Sequence, residues 1–288
     1  MRYAIISNPV SGRMTVDQKR SALAAAAAIL DAQIHGLETR TVDEFAQCAR
    51  ELVTRCDVLV TAGGDGTFSA IINAVDTSQT AVAYLPLGTG NALQYALEYR
   101  GALAAVARRI KEGQIREYDL IDCDEKKRAF MVSVGIDATI IQLRNKYAAQ
   151  NAAGFKGYFL AACKAYLKEY KRPSATVTVD DTSFEVQNLL SLMVVKQPYY
   201  GFAMKVVPGA RFDDRQLHTL CLNPGLLKFV FGGVTALAGG NRVGDYRSGR
   251  RVRVQLQWPL LLQTDGNEAW EADAFNFTVL PKALKIKC

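Results

Sequence analysis

Hydrophobic and polar positions recur with two different periods along this chain, which predicts two kinds of architecture. In the first 120 residues, short apolar runs alternate with longer segments whose apolar residues recur every three or four positions. The predicted strands are residues 3–7, 34–41, 57–62 and 81–85. The helical segments are residues 11–30 (a loop and an alanine-rich helix), 43–55 (with Asp43 as a cap), 68–75 and 91–113 (broken near Arg100-Gly101). This alternation predicts a parallel, doubly wound α/β sheet, in which ligands bind at the carboxyl ends of the strands.

Beyond residue 120 the pattern changes to runs rich in valine, threonine and aromatic residues. Short connections such as Asp180-Asp181-Thr182-Ser183 separate some of these runs and indicate hairpins. The predicted strands are residues 115–123, 130–134, 175–179, 184–195, 217–222, 251–257 and 275–280, with one helical insertion at residues 143–171. This part of the chain therefore predicts an antiparallel β domain.

Composition narrows the class of protein. With 49% hydrophobic and 22% charged residues, the chain is typical of a soluble globular protein. We expect no signal peptide, and the longest nearly apolar stretch, residues 229–240, is too short to span a bilayer. Six scattered cysteines and two histidines argue against zinc and against a disulfide framework, so we expect a cytoplasmic protein. The net charge of +7 favours anionic partners, whether nucleotides, nucleic acid or an acidic membrane surface.

Five consecutive residues, Gly63-Gly64-Asp65-Gly66-Thr67, join the third predicted strand to the next helix. Glycines at such a turn allow positive φ and let a ligand approach bare N–H groups. The helix that follows adds free amides and the positive end of its dipole, which favours a phosphate. Because a carboxylate repels a phosphate, Asp65 indicates a divalent cation between them, or action on water or a proton. We therefore predict a magnesium-nucleotide site rather than a glycine turn with an aspartate cap.

Two further polar loops follow predicted strands. Asn8-Pro9-Val10-Ser11-Gly12 follows the first strand, and Pro86-Leu87-Gly88-Thr89-Gly90-Asn91 follows the fourth. Because the carboxyl ends of parallel strands meet at one edge of a sheet, we expect all three loops to converge. The predicted nucleotide contacts are Asn8, Pro9, Ser11, Gly12, Thr41, Gly63, Gly64, Asp65, Gly66, Thr67, Gly88, Thr89 and Asn91.

In this order, NPVSG, GGDGT and PLGTGN resemble the catalytic domain of diacylglycerol kinase and sphingosine kinase-like lipid kinases. Similar later motifs are residues 133–138, 155–158, 208–214 and the pair Asp265-Gly266 followed by Glu268. NAD kinases share GGDGT, but no Asn-Glu pair of their type lies nearby. The resemblance implies an α/β domain at residues 1–120, of the NAD kinase and phosphofructokinase type, that binds the nucleotide. It also implies a β-sandwich domain at residues 121–280 on the lipid side, and a last strand near residues 281–288 that returns to the first domain.

The resemblance implies ATP- and Mg²⁺-dependent transfer of the γ-phosphoryl group to a lipid hydroxyl. Asp65 would bind or orient the metal through water, Asp119 would add a second carboxylate, and Asp214 would belong to a structural metal site. Two departures from the family's pattern bear on these roles. Ala92 stands where an aspartate commonly joins the metal–water network, and Arg215 stands where glycine usually follows Asp214, which argues against a bacterial-type structural magnesium site.

The late motif Asp265-Gly266-Asn267-Glu268 carries the general base that the resemblance implies, because a carboxylate can take the proton of a weakly nucleophilic hydroxyl. Asp265 and Glu268 are the candidates. Either Asn267 has replaced the family's glutamate, or one residue is inserted and Glu268 serves. Counting back from Leu280-Pro281 favours the insertion.

Several alternatives stay open at this stage. The chain could be a kinase for a soluble acceptor, or a catalytically weakened nucleotide-binding protein. We expect a lipid substrate met by peripheral contact with a membrane surface and no nucleic-acid partner, while a homodimer is one option for the oligomeric state. Interleaved aromatic and basic residues at 144–172 fit a membrane-facing lip or a helix with a basic surface. Residues 226–240 fit a core helix or an acyl-chain contact.

Overall fold

The structure, a computed structural model, describes residues 1–149, 164–166 and 170–288, which form two compact units. Unit 1 contains Met1–Leu120 and Pro281–Cys288, and unit 2 contains Ile121–Leu280. Residues 155–158 and most of the predicted helical insertion lie outside the described residues. Within the described ranges, no helix combines the length and the hydropathy needed to cross a bilayer.

Unit 1 is a parallel sheet with intervening helices, as predicted. Its strands follow the order β2-β1-β3-β4, all parallel, and the end of β14 adds to β4 through the pair Ile286 and Val82. Strand β3 is completely buried, which explains its unbroken apolar run. The elements are β1 Tyr3–Ser7, α1 Val16–Leu30, β2 Ile34–His35, α2 Val42–Leu52, β3 Val58–Gly63, α3 Asp65–Ala74, β4 Ala81–Pro86, α4 Ala92–Ala96 and α5 Leu103–Glu112.

Two local predictions in unit 1 were wrong. The second strand has two residues instead of eight, because Gly36 turns the chain with a φ of +84°. Helix α2 is capped by Thr41 and not by Asp43: the Thr41 hydroxyl accepts the N–H of Glu44, and Asp43 lies in the first helical turn. In that position its carboxylate is still stabilised by the positive end of the helix dipole.

Unit 2 is antiparallel and strand-rich, again as predicted. Its main sheet follows the order β12-β11-β10-β7-β13-β14, with β8 and β9 continuing from β13, and with β5 beside β14 and β6. The buried faces of these strands form one apolar core that includes Phe275 and Phe277. The elements are β5 Ile115–Cys123, β6 Lys127–Ala129, β7 Met131–Gly135, α6 Ile136–Ala149, β8 Ala175–Val179, β9 Thr182–Val186, β10 Ser191–Val195, β11 Leu217–Leu222, α7 Leu226–Ala238, β12 Asp245–Gly249, β13 Arg251–Thr264 and β14 Asn267–Lys287.

The turns of unit 2 decide where its strands end. The predicted hairpin at Asp180-Asp181 joins β8 to β9, with Val179 opposite Thr182. The single strand predicted at residues 184–195 is two strands, β9 and β10, separated by a turn in which Asn188 takes a φ of 55°. Asparagine tolerates this left-handed backbone better than most residues, so the apolar run is interrupted without a glycine.

Candidate functional site

Three loops of unit 1 contact one another where their strands end. We call residues 8–12 the first loop, residues 63–67 the second loop and residues 87–91 the third loop. Ser7 of β1 lies opposite Ala62 of β3, and Gly63 lies opposite Pro86 of β4, so the three loops leave the same edge of the sheet. The N–H of Gly64 donates to Ser11 Oγ at 3.2 Å, and the N–H of Leu87 donates to the Gly63 carbonyl at 2.9 Å.

Glycines make this close approach of the loops possible. A Cβ on Gly88 would lie 2.4 Å from Gly64 Cα, and a Cβ on Gly63 would lie 2.6 Å from Thr67 Oγ1. Gly12 has a φ of +72°, and its Cβ would lie 2.8 Å from the carbonyl oxygen of Leu87. The sequence suggested that these glycines give a ligand access to the backbone. The structure adds that they give the loops access to one another.

Asn91 holds the third loop in shape. Its φ of 47° is left-handed, and its side-chain amide closes the loop on itself. Oδ1 accepts the N–H of Gly88 at 3.1 Å and the hydroxyl of buried Tyr84 at 3.0 Å, while Nδ2 donates to the Gly88 carbonyl at 2.9 Å. Thr89, at the tip of the same loop, is exposed.

Asp65 is the first residue of α3, so the second loop runs into the helix earlier than residue 68, where the sequence predicted its start. Its carboxylate accepts the N–H of Ala92 at 2.8 Å and of Leu93 at 3.0 Å, which joins α3 to the start of α4. Desolvation raises the pKa of Asp65, and the hydrogen bonds from Leu93 and Ala92 oppose that rise. With a third hydrogen bond from the N–H of Asp65 itself, three of the four lone-pair positions of the carboxylate are occupied, so the group can still take one further ligand.

Lys19 is a site residue that the sequence interpretation missed. Its side chain is completely buried, and Nζ donates to the carbonyls of Asn8 at 2.8 Å and Pro9 at 2.5 Å. Desolvation lowers the pKa of this ammonium group. The signal in the sequence was weak: Lys19 shares the buried stripe of α1 with Leu23, Ala26 and Leu30, but the alanines of this helix do not mark that stripe clearly.

Asp119 and Thr41, which the sequence predicts as site residues, each make a hydrogen bond within unit 1. Asp119 is buried, and its Oδ1 accepts the N–H of Lys282 at 3.0 Å. Thr41 caps α2, as described above. The nucleotide role of Thr41 and the metal role of Asp119 stay predictions.

In unit 2, Asp214 lies between two nitrogen groups. Lys196 Nζ approaches its Oδ1 at 2.8 Å, and His218 Nε2 approaches its Oδ2 at 2.8 Å. Burial works to raise the pKa of Asp214, but the hydrogen bond and charge of Lys196 outweigh it and the pKa is lowered. Arg215 keeps a left-handed φ of 59°, the backbone that a glycine would supply. Lys196 thus brings to Asp214 the positive charge that a metal ion would bring, and the metal role of Asp214 stays a prediction.

The described residues contain no cluster of three or more His, Cys, Asp or Glu side chains arranged to hold a metal ion. This does not conflict with a magnesium ion bound mainly by phosphate groups. Such an ion takes one or two carboxylates and keeps several water ligands. Asp65 has the oxygen donors and one remaining lone-pair position for this role.

Asp265 and Gly266 form the two-residue turn between β13 and β14. Their φ values are 49° and 84°, which is the left-handed pair of a type I′ hairpin turn. The Asp265 side chain is buried, and Oδ1 accepts the N–H groups of Phe130 at 3.1 Å and Met131 at 2.9 Å. Glu268 is exposed and pairs with Gln263 across the hairpin. Of the two candidate bases, Asp265 is therefore the one with a fixed position.

A buried polar network adjoins this turn, and the sequence interpretation did not include it. Gln263 Oε1 accepts the N–H of Gly266 at 2.7 Å, and its Nε2 donates to Ser133 Oγ and Tyr200 Oη, both at 3.0 Å. Beside them, the carboxylate of Asp137 accepts the hydroxyl of Ser191. Burial raises the pKa of Asp137 to about 6.

Comparison with known proteins divides the chain near the same point, although the second match also includes residues 281–288 of unit 1. Residues 2–123 match the family described as the diacylglycerol kinase catalytic domain, and residues 130–288 match the YegS C-terminal NAD kinase beta sandwich-like domain. The diacylglycerol kinase of Staphylococcus saprophyticus is 26% identical over 222 residues, which cover 74% of this chain and 70% of the relative. The enzyme of Staphylococcus aureus strain RF122 is 23% identical, over 99% of this chain and 91% of the relative. A crystal structure of a diacylglycerol kinase from Bacillus anthracis str. Sterne has the same fold, with a TM-score of 0.72 at 14% identity over 99% of this chain and 96% of that one.

Proposed function

Because the chain belongs to the diacylglycerol kinase catalytic domain family, with a second unit of the YegS C-terminal type, we propose that it transfers the γ-phosphoryl group of ATP to a hydroxyl group of a lipid. Membership in a family of kinases implies the use of ATP. The proposal also specifies the acceptor as a lipid. Diacylglycerol is the first candidate, because the relatives are named diacylglycerol kinases.

The observation that carries the proposal is the cluster of three loops in unit 1. Gly64 caps α3, and Gly88 packs against it so closely that no side chain fits between the second and third loops at the start of this helix. The first N–H groups of a helix have no partner within the helix, and they bind phosphate groups well. We therefore assign the phosphates of ATP to the first turn of α3 and to the second and third loops.

Asp65 fits the role of the magnesium ligand in this proposal. It lies in the first turn of α3, and its carboxylate keeps one lone-pair position after accepting the N–H groups of Ala92, Leu93 and Asp65 itself. The ion would neutralise charge on the phosphate oxygens while the phosphoryl group is transferred. The two backbone hydrogen bonds fix the carboxylate, so Asp65 needs little reorganisation when it takes part.

The proposed reaction is an in-line displacement. The lipid hydroxyl oxygen forms a bond to the γ-phosphorus, the bond from that phosphorus to the bridging oxygen breaks, and ADP takes the electron pair. The hydroxyl proton goes to a carboxylate, for which Asp265 is preferred because the N–H groups of Phe130 and Met131 orient it. Glu268 is the second candidate and is exposed.

Transfer of labelled phosphate from ATP to a panel of vesicles tests the proposal. The panel contains diacylglycerol, monoacylglycerol, phosphatidylglycerol, ceramide or sphingosine. We expect one lipid to be phosphorylated by the wild type and by Asp181→Asn, a control at an exposed turn whose side chain is 97% accessible. Asp65→Asn is expected to lose at least about a hundredfold in rate, the order seen when an electrostatic catalytic group is removed.

The same assay separates the two candidate bases and the alternative functions. Asp265→Asn should lose most of the activity, whereas Glu268→Gln should keep it if Asp265 is the base. Phosphate transfer without vesicles would indicate a soluble acceptor. ATP binding that Asp65→Asn weakens, together with no transfer to any lipid, would indicate a weakened nucleotide-binding protein. Absence of ATP binding by the wild type would overturn the proposal.

A further inference from the structure

Helix α7 of unit 2 exposes an unusual amount of apolar surface. Six of its side chains, Leu226, Leu227, Val230, Phe231, Val234 and Leu237, are between 48% and 86% exposed. They are six of the thirteen large hydrophobic side chains that are exposed in the described part of the chain. Single exposed apolar residues are common on soluble proteins, but a contiguous group on one helix marks an interaction surface.

The helix is held in place by its small residues, so the large ones are left outside. Gly232 and Ala236 are its buried positions, and a Cβ on Gly232 would lie 3.0 Å from Asn241 Oδ1. The carbonyl of Ala236 accepts the N–H of Lys205 at 2.8 Å. Near the start of the helix, Phe229 stacks on Tyr166 with ring centroids 5.1 Å apart. A helix that is apolar almost all round normally lies in a protein core or against lipid.

The charges around α7 identify the kind of surface it fits. Residues 225–244 include Lys228 and Arg242 and contain no aspartate or glutamate. Arg172 is bound next to the helix, where it donates to the Pro224 carbonyl at 3.1 Å. Apolar side chains flanked by cations and free of acids match the surface of an anionic bilayer. A two-fold contact with a second copy would instead bring the same cations together.

We propose that α7 docks the protein on anionic membranes by inserting its exposed apolar side chains below the lipid headgroups. The flanking cations then lie at the level of the phosphates. This inference rests on the proposed lipid kinase function, because it provides contact with the surface that carries the substrate. The sequence left two interpretations open for residues 226–240, a core helix or an acyl-chain contact. The proposed docking favours the acyl-chain contact.

Flotation of the full chain with vesicles, without nucleotide, tests the docking helix. We expect the wild type to bind vesicles of phosphatidylglycerol and phosphatidylcholine, and to bind pure phosphatidylcholine more weakly. Leu227→Glu/Phe231→Glu places two acids one turn apart on α7 and should lower the partition coefficient about tenfold or more. Val42→Glu introduces a single acid at an apolar, 76% exposed position of α2 and should bind like the wild type, and single Leu227→Glu is its matched variant on α7. Leu227→Ser/Phe231→Ser is the milder variant if thermal unfolding shows that the acidic one is not folded.

The possible results are distinct. Equal binding by the α7 variants and the wild type, or no binding of anionic vesicles by the wild type, would overturn the docking inference. A wild-type dimer that the α7 variants dissociate in light scattering would replace the membrane with a second copy of the chain. Vesicle binding without phosphate transfer to any lipid would instead contradict the proposed function and leave the docking helix in place. Transfer to short-chain diacylglycerol dispersed without vesicles should be unchanged in the α7 variants.

Discussion

Replacing Gly88 by alanine tests whether space between the loops, rather than backbone conformation, requires glycine. The backbone of Gly88 is not left-handed, so alanine can adopt it. The new Cβ would lie 2.4 Å from Gly64 Cα, 2.9 Å from Gly64 N and 2.7 Å from Asn91 Oδ1. Because carbon atoms pack at about 3.5–4.0 Å, the second and third loops must separate by about 1 Å.

The expected cost follows from the contacts that this movement breaks. Inserting a methyl group into a packed site costs about 1–3 kcal/mol. The hydrogen bond from Gly64 to Ser11 is already 3.2 Å long, and losing such a bond costs about 1 kcal/mol. We therefore expect Gly88→Ala to lower the free energy of unfolding by about 2–4 kcal/mol and to weaken ATP binding, because the loops that should hold the phosphates are displaced.

Two further glycine-to-alanine variants serve as controls, because a smaller destabilisation is expected for each of them. At Gly64 the nearest contact of a new Cβ is 3.3 Å, to Gly88 Cα, so Gly64→Ala should destabilise the protein less. At Gly233 of α7 there is no atom within 4 Å, and alanine should be neutral or slightly stabilising there. Urea denaturation and ATP titration calorimetry measure both quantities for all three variants. If Gly88→Ala unfolds at the same urea concentration as Gly64→Ala and binds ATP as the wild type does, the space between the loops does not require glycine at position 88.

Three further predictions concern single side chains. Lys19→Met removes the donor to two carbonyls of the first loop and should weaken ATP binding about tenfold by calorimetry; unchanged affinity would show that the loop holds its shape without the lysine. The pKa of Asp137 is about 6 in the folded state and about 4 in the unfolded chain. Between these pH values the folded protein holds a proton that the unfolded chain has lost, so the free energy of unfolding falls as the pH rises through this interval. The whole interval is worth about 3 kcal/mol, of which about 2 kcal/mol falls between pH 4.5 and pH 7. Urea denaturation at these two pH values should show that loss in the wild type and not in Asp137→Asn. Asp180→Ala should lower stability by about 2 kcal/mol, because this left-handed turn residue accepts two N–H groups at the start of β13, whereas Asp181→Ala should leave the thermal midpoint unchanged.

The strands and the convergence of the loops could be predicted because they depend on local patterns. Buried parallel strands such as β3 are continuous apolar runs, and parallel strands place their following loops at one edge of the sheet. The cap of α2 could not be assigned with the same success, because Thr41 and Asp43 are both good cap residues. The choice depends on which residue has the extended backbone, and that residue is Thr41, with a φ of −125° and a ψ of 162°.

The polar contacts could not be predicted, because they join residues far apart in the chain. Gln263 meets Ser133 and Tyr200 only when three strands or loops of unit 2 are assembled. Lys19 was hidden for a different reason. A lysine on an exposed helix is ordinary, and its importance follows from the buried side of α1, which the weak amphipathic pattern of an alanine-rich helix does not mark clearly.

The path of β14 affects how the protein can be made. This strand begins in unit 2 and ends in unit 1, where Ile286 pairs with Val82 and Thr77 donates to the carbonyl of Ala283. During synthesis on a ribosome, unit 1 is translated first, but its sheet lacks an edge strand until all of unit 2 has emerged. The sheet of the first unit is therefore completed only after residues 281–288, which follow unit 2 in the chain, have been translated. A fragment that stops at residue 120 leaves β4 with an open edge, and such an edge invites pairing with other chains.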